Sequence, residues 1–182
     1  MRYVVVAWVV AVAGGFGVWG AAEAPPGRAG PPAAGSPRAG PSVVVYVHPH
    51  CPCTRAALPA ILDALAVAPP GTDCRVVFAL PVGVPDGWER TRSWDLAAGR
   101  PGVAVEIDRG GTRAAADGAE TSGHAVARDA AGRVAFRGGL SRPGTRPADG
   151  AGLRAVAAVL AGCAPDTSET PVFGCPLTTP AN

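Results

Sequence analysis

Residues 42–54 read Ser42-Val43-Val44-Val45-Tyr46-Val47-His48-Pro49-His50-Cys51-Pro52-Cys53-Thr54. A β-branched run with no polar alternation, here 42–47, is what a strand buried on both faces of a sheet requires. From Pro52 to Val67 the pattern changes: Leu58, Ile61, Leu62 and Leu65 fall at i, i+3, i+4 and i+7, the apolar stripe of an amphipathic helix. Pro59 inside that helix predicts a kink. The strand therefore gives way to a helix at Cys51. A cysteine at a helix start faces unpaired backbone amides and the positive end of the macrodipole, and both favour thiolate over thiol. Pro52 suits the first helical position, where its missing N–H would have been unpaired anyway.

Beyond this unit, Pro69-Pro70-Gly71 breaks the chain, and Arg75 to Leu80 reads as a second buried strand. Following a helix, it should run parallel to the first. The polar stretch Pro85 to Gly102 predicts a surface helix, with Trp88 and Trp94 packing over the core, before a short extended segment Val103 to Ile107. Ala114 to Gly118 predicts a brief helix. Gly123 to Arg128 and Val134 to Arg137 flank Asp129-Ala130-Ala131-Gly132, a hairpin turn. Leu153, Val156, Ala157 and Leu160 mark a last helix. The order is β-α-β-(α-β-α)-β-β-α, which implies an α/β fold of three layers: a central mixed sheet with helices on both faces.

The chain has 182 residues, enough for one domain with a proper core once its ends are subtracted, and we place that domain at 42–163. Met1 and Arg2 precede an apolar run from Tyr3 to Gly20 and then Ala21-Ala22-Glu23-Ala24, the charged, apolar, small-residue order of an export signal. Residues 1–24 are thus a signal peptide or an N-terminal membrane anchor. The run at 3–20 would reach ~27 Å as a helix, close to the hydrocarbon thickness, so it could tether the protein to the inner membrane. Residues 25–41, rich in Pro, Gly and Ala, form a linker, and 164–182 a C-terminal tail carrying Phe173-Gly174-Cys175-Pro176. The domain is expected in the periplasm or another extracytoplasmic space.

Sixteen basic residues balance fourteen acidic ones to a net charge of +2, with no clustered basic face, which argues against nucleic acid as a partner. Every basic residue is Arg, so Schiff-base chemistry on a lysine is excluded. Five cysteines are an odd number. In an oxidising compartment one must stay free, pair between chains, or cycle.

Cys51 is the candidate nucleophile. His48 and His50 could lower its pKa or carry protons. The same residues support an alternative, because His48, His50, Cys51 and Cys53 set two imidazoles and two thiolates within six positions, a soft set suited to copper or zinc. Against this, adjacent residues at a strand end point to opposite sides. Cys74 and Cys163 lack adjacent His or Thr, and a structural disulfide between them is the default where oxidation prevails. Cys175 lies between apolar residues that could dock the tail on the domain and bring it to Cys51 or Cys53 as a resolving thiol. His124 precedes a hairpin strand, where it is either an exposed turn residue or a neighbour of the motif.

The strand, then Cys51-Pro52-Cys53-Thr54-Arg55-Ala56-Ala57-Leu58-Pro59, then the Leu-rich helix, resembles the C-x-x-C helix of the thioredoxin superfamily with its kinking proline. In that family the proline follows the second active-site cysteine by five residues. Thr54 to Pro59 is five, so Cys51 matches the nucleophile and Thr54 replaces the second cysteine. Cys53 stands one position early. Asp129-Ala130-Ala131-Gly132-Arg133-Val134 resembles the hairpin of membrane-tethered thioredoxins and peroxiredoxins. The family's cis-proline is absent, and Ser122-Gly123-His124 occupies its region. The segments HPHCPCTRA, DRGGTRAAADGAETSGHA and PVFGCPL together resemble the exported RedB-like group, over roughly Val43 to Leu177. A Gly-His pair expected after that group's GG-x-S-R stretch is missing from Gly139 to Arg146.

The resemblance implies a thioredoxin-like fold and a thiol–disulfide oxidoreductase working through Cys51, with Cys53, Thr54, His50 and Cys175 around it. Its partner would be a protein or small-molecule thiol or disulfide, with no cofactor. Other readings are a copper or zinc chaperone, a peroxidase in which Thr54 hydrogen-bonds the Cys51 thiolate, and a binding module with structural thiols.

Overall fold

A computed structural model describes residues 40–141 and 150–178. The segment read as signal or anchor (1–24), its apolar run (3–20) and all of the linker but its last two residues lie outside the described residues. So does most of the 139–146 stretch. Among the described residues no helix is long and apolar enough to cross a membrane.

The β-branched run is strand β1 (Ser42–Val47), buried along its whole length. It leads into helix α1 (Pro52–Ala66), followed by β2 (Asp73–Leu80), α2 (Arg92–Ala98), β3 (Val103–Arg109), α3 (Thr112–Ala116), β4 (His124–Arg128), β5 (Val134–Gly139), α4 (Ala151–Leu160) and the two-residue β6 (Glu169–Thr170). The sheet order is β3-β2-β1-β4-β5-β6. β1, β2 and β3 are mutually parallel, an arrangement that needs the crossover helices between them, while β4 runs antiparallel to β1 and β5 antiparallel to β4.

A strand presents alternate residues to opposite faces, and β1 divides accordingly. Val43, Val45 and Val47 join Val76, Phe78, Leu80, Ala125 and Phe136 under the α1 residues Leu58, Ile61, Leu62 and Leu65 and the α4 residues Leu153, Val156 and Val159. Val44 and Tyr46 face the other way, with Val77, Ala79, Val126, Ala114 of α3 and, from the tail, Leu177. The fold therefore has the three α/β layers expected, with a mixed sheet covered on both faces. The α1 stripe is buried at all four predicted positions, each such side chain contributing roughly 1.5–3 kcal/mol. Pro59 lies inside α1 on its exposed side, where the carbonyl it leaves unpaired can turn to water.

Three elements differ from expectation. The helix predicted within Pro85 to Gly102 is confined to Arg92–Ala98, because Pro85 and Gly87 turn the chain first and the Thr91 hydroxyl caps the Trp94 amide. The brief helix begins at Thr112 rather than Ala114, since the Asp108 carboxylate accepts from the Arg113 and Ala114 amides and fixes its start. The tail adds β6, parallel to the edge of β5. All five cysteines are free thiols, so Cys74 and Cys163 are unpaired: Cys74 is buried, its thiol directed to the Leu65 carbonyl, and Cys163 is exposed after α4.

Candidate active site

Cys51 is the N-cap residue of α1, in extended conformation, with Pro52 next to it at the helix start. Its amide donates to the His48 carbonyl (3.0 Å) and its carbonyl accepts the first helical bond from Arg55. This tight turn at the end of β1 puts the sulfur over the opening turn of the helix. Three residues on, Thr54 faces inward and is buried, and its hydroxyl donates to Cys51 Sγ at 3.4 Å.

The next partner comes from β4. Because β4 pairs antiparallel with β1 and sets Tyr46 opposite His124, the residue beside His48 is Ser122. Its Oγ accepts from the His48 amide (2.9 Å) and lies 2.7 Å from Thr54 Oγ1. A hydroxyl has one hydrogen. With Thr54 directing its own at sulfur, Ser122 donates to Thr54, and the chain runs one way: His48 N–H, Ser122 hydroxyl, Thr54 hydroxyl, Cys51 sulfur. Such a chain polarises toward the negative end.

The tail completes the site. The Cys175 amide donates to Cys51 Sγ at 3.3 Å, across 124 residues of sequence. The strap is held by backbone bonds from Ser122 to the Cys175 carbonyl (2.8 Å) and from Leu177 to the Glu120 carbonyl (2.9 Å). It lies close: a Cβ on Gly174 would stand 2.2 Å from the Ser122 carbonyl oxygen.

These contacts set the thiols apart. Burial alone would raise the Cys51 pKa, but bonds from Thr54 and from the backbone and side chain of Cys175 outweigh it and bring the thiol below its ordinary value. Cys175 is pushed up to about 12, by burial first and then by its hydrogen bond to Cys51 and by the Cys51 charge. Burial followed by the Cys51 charge also raises Cys53, which is exposed. The two thiols thus differ: Cys51 ionises more readily than an ordinary thiol and Cys175 less readily.

The histidines are placed differently. His50 is exposed, its Nε2 donates to the Trp88 carbonyl at 3.0 Å, and its ring lies on Trp88 at 4.3 Å. His48 is buried edge-on to Trp88, and its Nδ1 accepts from the His50 amide. Among the described residues no group of three or more His, Cys, Asp or Glu side chains that could hold a metal ion is found. His124 is not an exposed turn residue. It is fully buried at the start of β4, neither ring nitrogen has a hydrogen-bond partner, and burial lowers its pKa to about 4.

Two solved structures share the fold. An uncharacterized conserved protein of Geobacillus kaustophilus superposes with a TM-score of 0.58 at 18% identity, over 86% of this chain and 93% of its own. A hypothetical protein of Sinorhizobium meliloti 1021 gives 0.60 at 22% identity, over 86% and 95%. The likeness is one of fold. No family model and no curated protein matches the chain.

Of the residues singled out from sequence, Cys51, Thr54 and Cys175 meet at one point, with Cys53 on its exposed rim. Ser122 was named only as standing where a proline is usual. Its role could have been anticipated from the hairpin, since an antiparallel β4 must bring the residue before Gly123 alongside His48.

Proposed function

We propose that the protein is an exported thiol–disulfide oxidoreductase-like protein in which Cys51 is the nucleophile and Cys175 the resolving thiol. The observation that carries this reading is the Cys175 amide on Cys51 Sγ, which sets the two cysteines side by side. In the reduced form the Cys51 thiol ionises more readily than usual, and Cys175 beside it is held as the thiol. Oxidation joins them in an intramolecular disulfide, and an external thiol reopens it through a mixed disulfide. Export rests on the order of charges and apolar residues at 1–24, and it supplies the oxidising setting in which such a pair cycles.

The test is non-reducing peptide mapping of the protein oxidised with diamide, together with Cys51 alkylation followed against pH. A Cys51–Cys175 link, and alkylation titrating below the ordinary thiol value of ~8.5, are the expected results. Cys175 remaining free after oxidation would sink the assignment.

A further inference from the structure

The two sulfurs of the pair differ in access. Cys51 is 1% exposed, whereas Cys175 is only half-buried. What closes over Cys51 is the strap, and it is built into the fold. Leu177 is wholly buried in the second apolar cluster, Val172 is buried, Thr121 bridges to Pro176, and Thr170 packs on Gly138. A protein disulfide must bring one of its sulfurs in line with the attacking sulfur, and folded bulk on that path meets residues 173–177. A molecule of a few atoms needs only a local opening.

The surroundings of Cys51 also suit a particular oxidant. Breaking an O–O bond needs a thiolate and a proton for the departing oxygen. Thr54 hydrogen-bonds the sulfur and is itself supplied by Ser122. Resting on the assignment of Cys51 and Cys175 as a redox pair, we infer that the oxidising substrate is a small hydroperoxide entering at Cys51, and that reducing thiols enter at Cys175.

The steps balance. The Cys51 thiolate attacks the terminal oxygen of ROOH; an S–O bond forms, the O–O bond breaks, and the departing alkoxide, hydrogen-bonded by the Thr54 hydroxyl, takes its proton from a water molecule that enters with the peroxide. Cys51 is now a sulfenic acid and the substrate is ROH. Cys175 attacks the Cys51 sulfur, the S–S bond forms, and hydroxide leaves with the Cys175 proton as water. Part of what holds Cys175 protonated is the Cys51 charge, which a sulfenic acid lacks, so the resolving thiol is freed once oxidation has occurred. A thiol R′SH then attacks the more accessible Cys175 sulfur, and Cys51, the lower-pKa leaving group, departs. A second R′SH releases R′SSR′. The sum is ROOH + 2 R′SH giving ROH, R′SSR′ and water.

The test uses full-length protein, reduced and freed of reductant, mixed at pH 7 with hydrogen peroxide and separately with insulin as a protein disulfide. Quenched samples are mapped for the Cys51–Cys175 link. Peroxide should form it more than about 30-fold faster than peroxide oxidises free cysteine, which is the gain full ionisation of an ordinary thiol would supply by itself. Insulin should form none on that timescale. Cys175→Ser should leave a Cys51 sulfenic acid that dimedone captures once per chain. A peroxide rate at or below the ionisation gain, or insulin reacting as fast as peroxide, overturns the inference. Diamide separates it from the reading beneath it: a link with diamide but not with peroxide removes only the hydroperoxide, and no link with either removes both.

Discussion

The Ser122 and Thr54 hydroxyls lie 2.7 Å apart, joined across 68 residues of sequence, and through Thr54 the pair reaches Cys51. Thr54→Val removes the direct donor and should raise the Cys51 pKa. Alkylation of Cys51 at pH 6 should then fall about 10- to 100-fold, the range for losing a hydrogen bond to a charged group. Ser122→Ala leaves Thr54 free to donate but unpolarised, and should cost about two- to tenfold. Equal rates in both variants and the parent would show that the chain does not tune the sulfur.

Gly174 passes so close to the Ser122 carbonyl that a methyl group has no space. Gly174→Ala should lift the strap, expose Cys51 and lower the yield of the Cys51–Cys175 link on diamide oxidation. Alkylation by a bulky maleimide should rise while the far-ultraviolet circular dichroism stays unchanged. Slower maleimide labelling would mean that the strap does not guard the sulfur.

On the opposite face, Asp117 accepts from the Tyr46 hydroxyl and from Arg128, both at 2.6 Å, and the ion pair is nearly buried, at 8% and 11% side-chain exposure. Burial, then Asp117, raises the Tyr46 pKa, so this tyrosine stays protonated. Asp117→Ala strands the Arg128 charge and should cost about 3–5 kcal/mol in urea unfolding, the usual penalty for removing one partner of a buried pair. A loss under 1 kcal/mol would show that Arg128 reaches water.

His124 provides a pH dependence whose sign is fixed. Its folded pKa, about 4, lies below the ordinary value of 6.5, chiefly through burial and then through repulsion from Arg137. Between those values the unfolded chain binds a proton the folded chain refuses. Stability is therefore fully present above pH 6.5 and falls with pH until about 4, by about 3 kcal/mol in all. Urea midpoints at pH 7, 5.5 and 4.5 should show this slope, and His124→Leu should flatten it. The same slope in the variant would place the titration elsewhere.

The main strands, the helix that carries Cys51 and the mixed sheet were legible because their signals are local. A valine run with no polar interruption has few alternatives to a central strand, and a four-leucine-type stripe ending at Pro69 has few alternatives to a packed helix. The region between Pro85 and Gly102 was less so. There two turn residues and a capping threonine compete within a few positions, and the helix begins where the Thr91 hydroxyl caps the Trp94 amide and Trp94 packs on Phe78 at 5.1 Å. The burial of His124 was not legible, since nothing in the local sequence marks a histidine for full burial.

By itself the sequence determined that Cys51 opens a helix after a buried strand, and so that one thiol is placed among helix amides. That follows from the period of side chains along the backbone. Which groups complete the site was decided by the tertiary structure alone. Ser122 arrives because β4 pairs with β1, and Cys175 because Leu177 finds the second core. Hydrogen bonds at 2.7 to 3.4 Å depend on strand register and strap docking, which chain spacing does not encode.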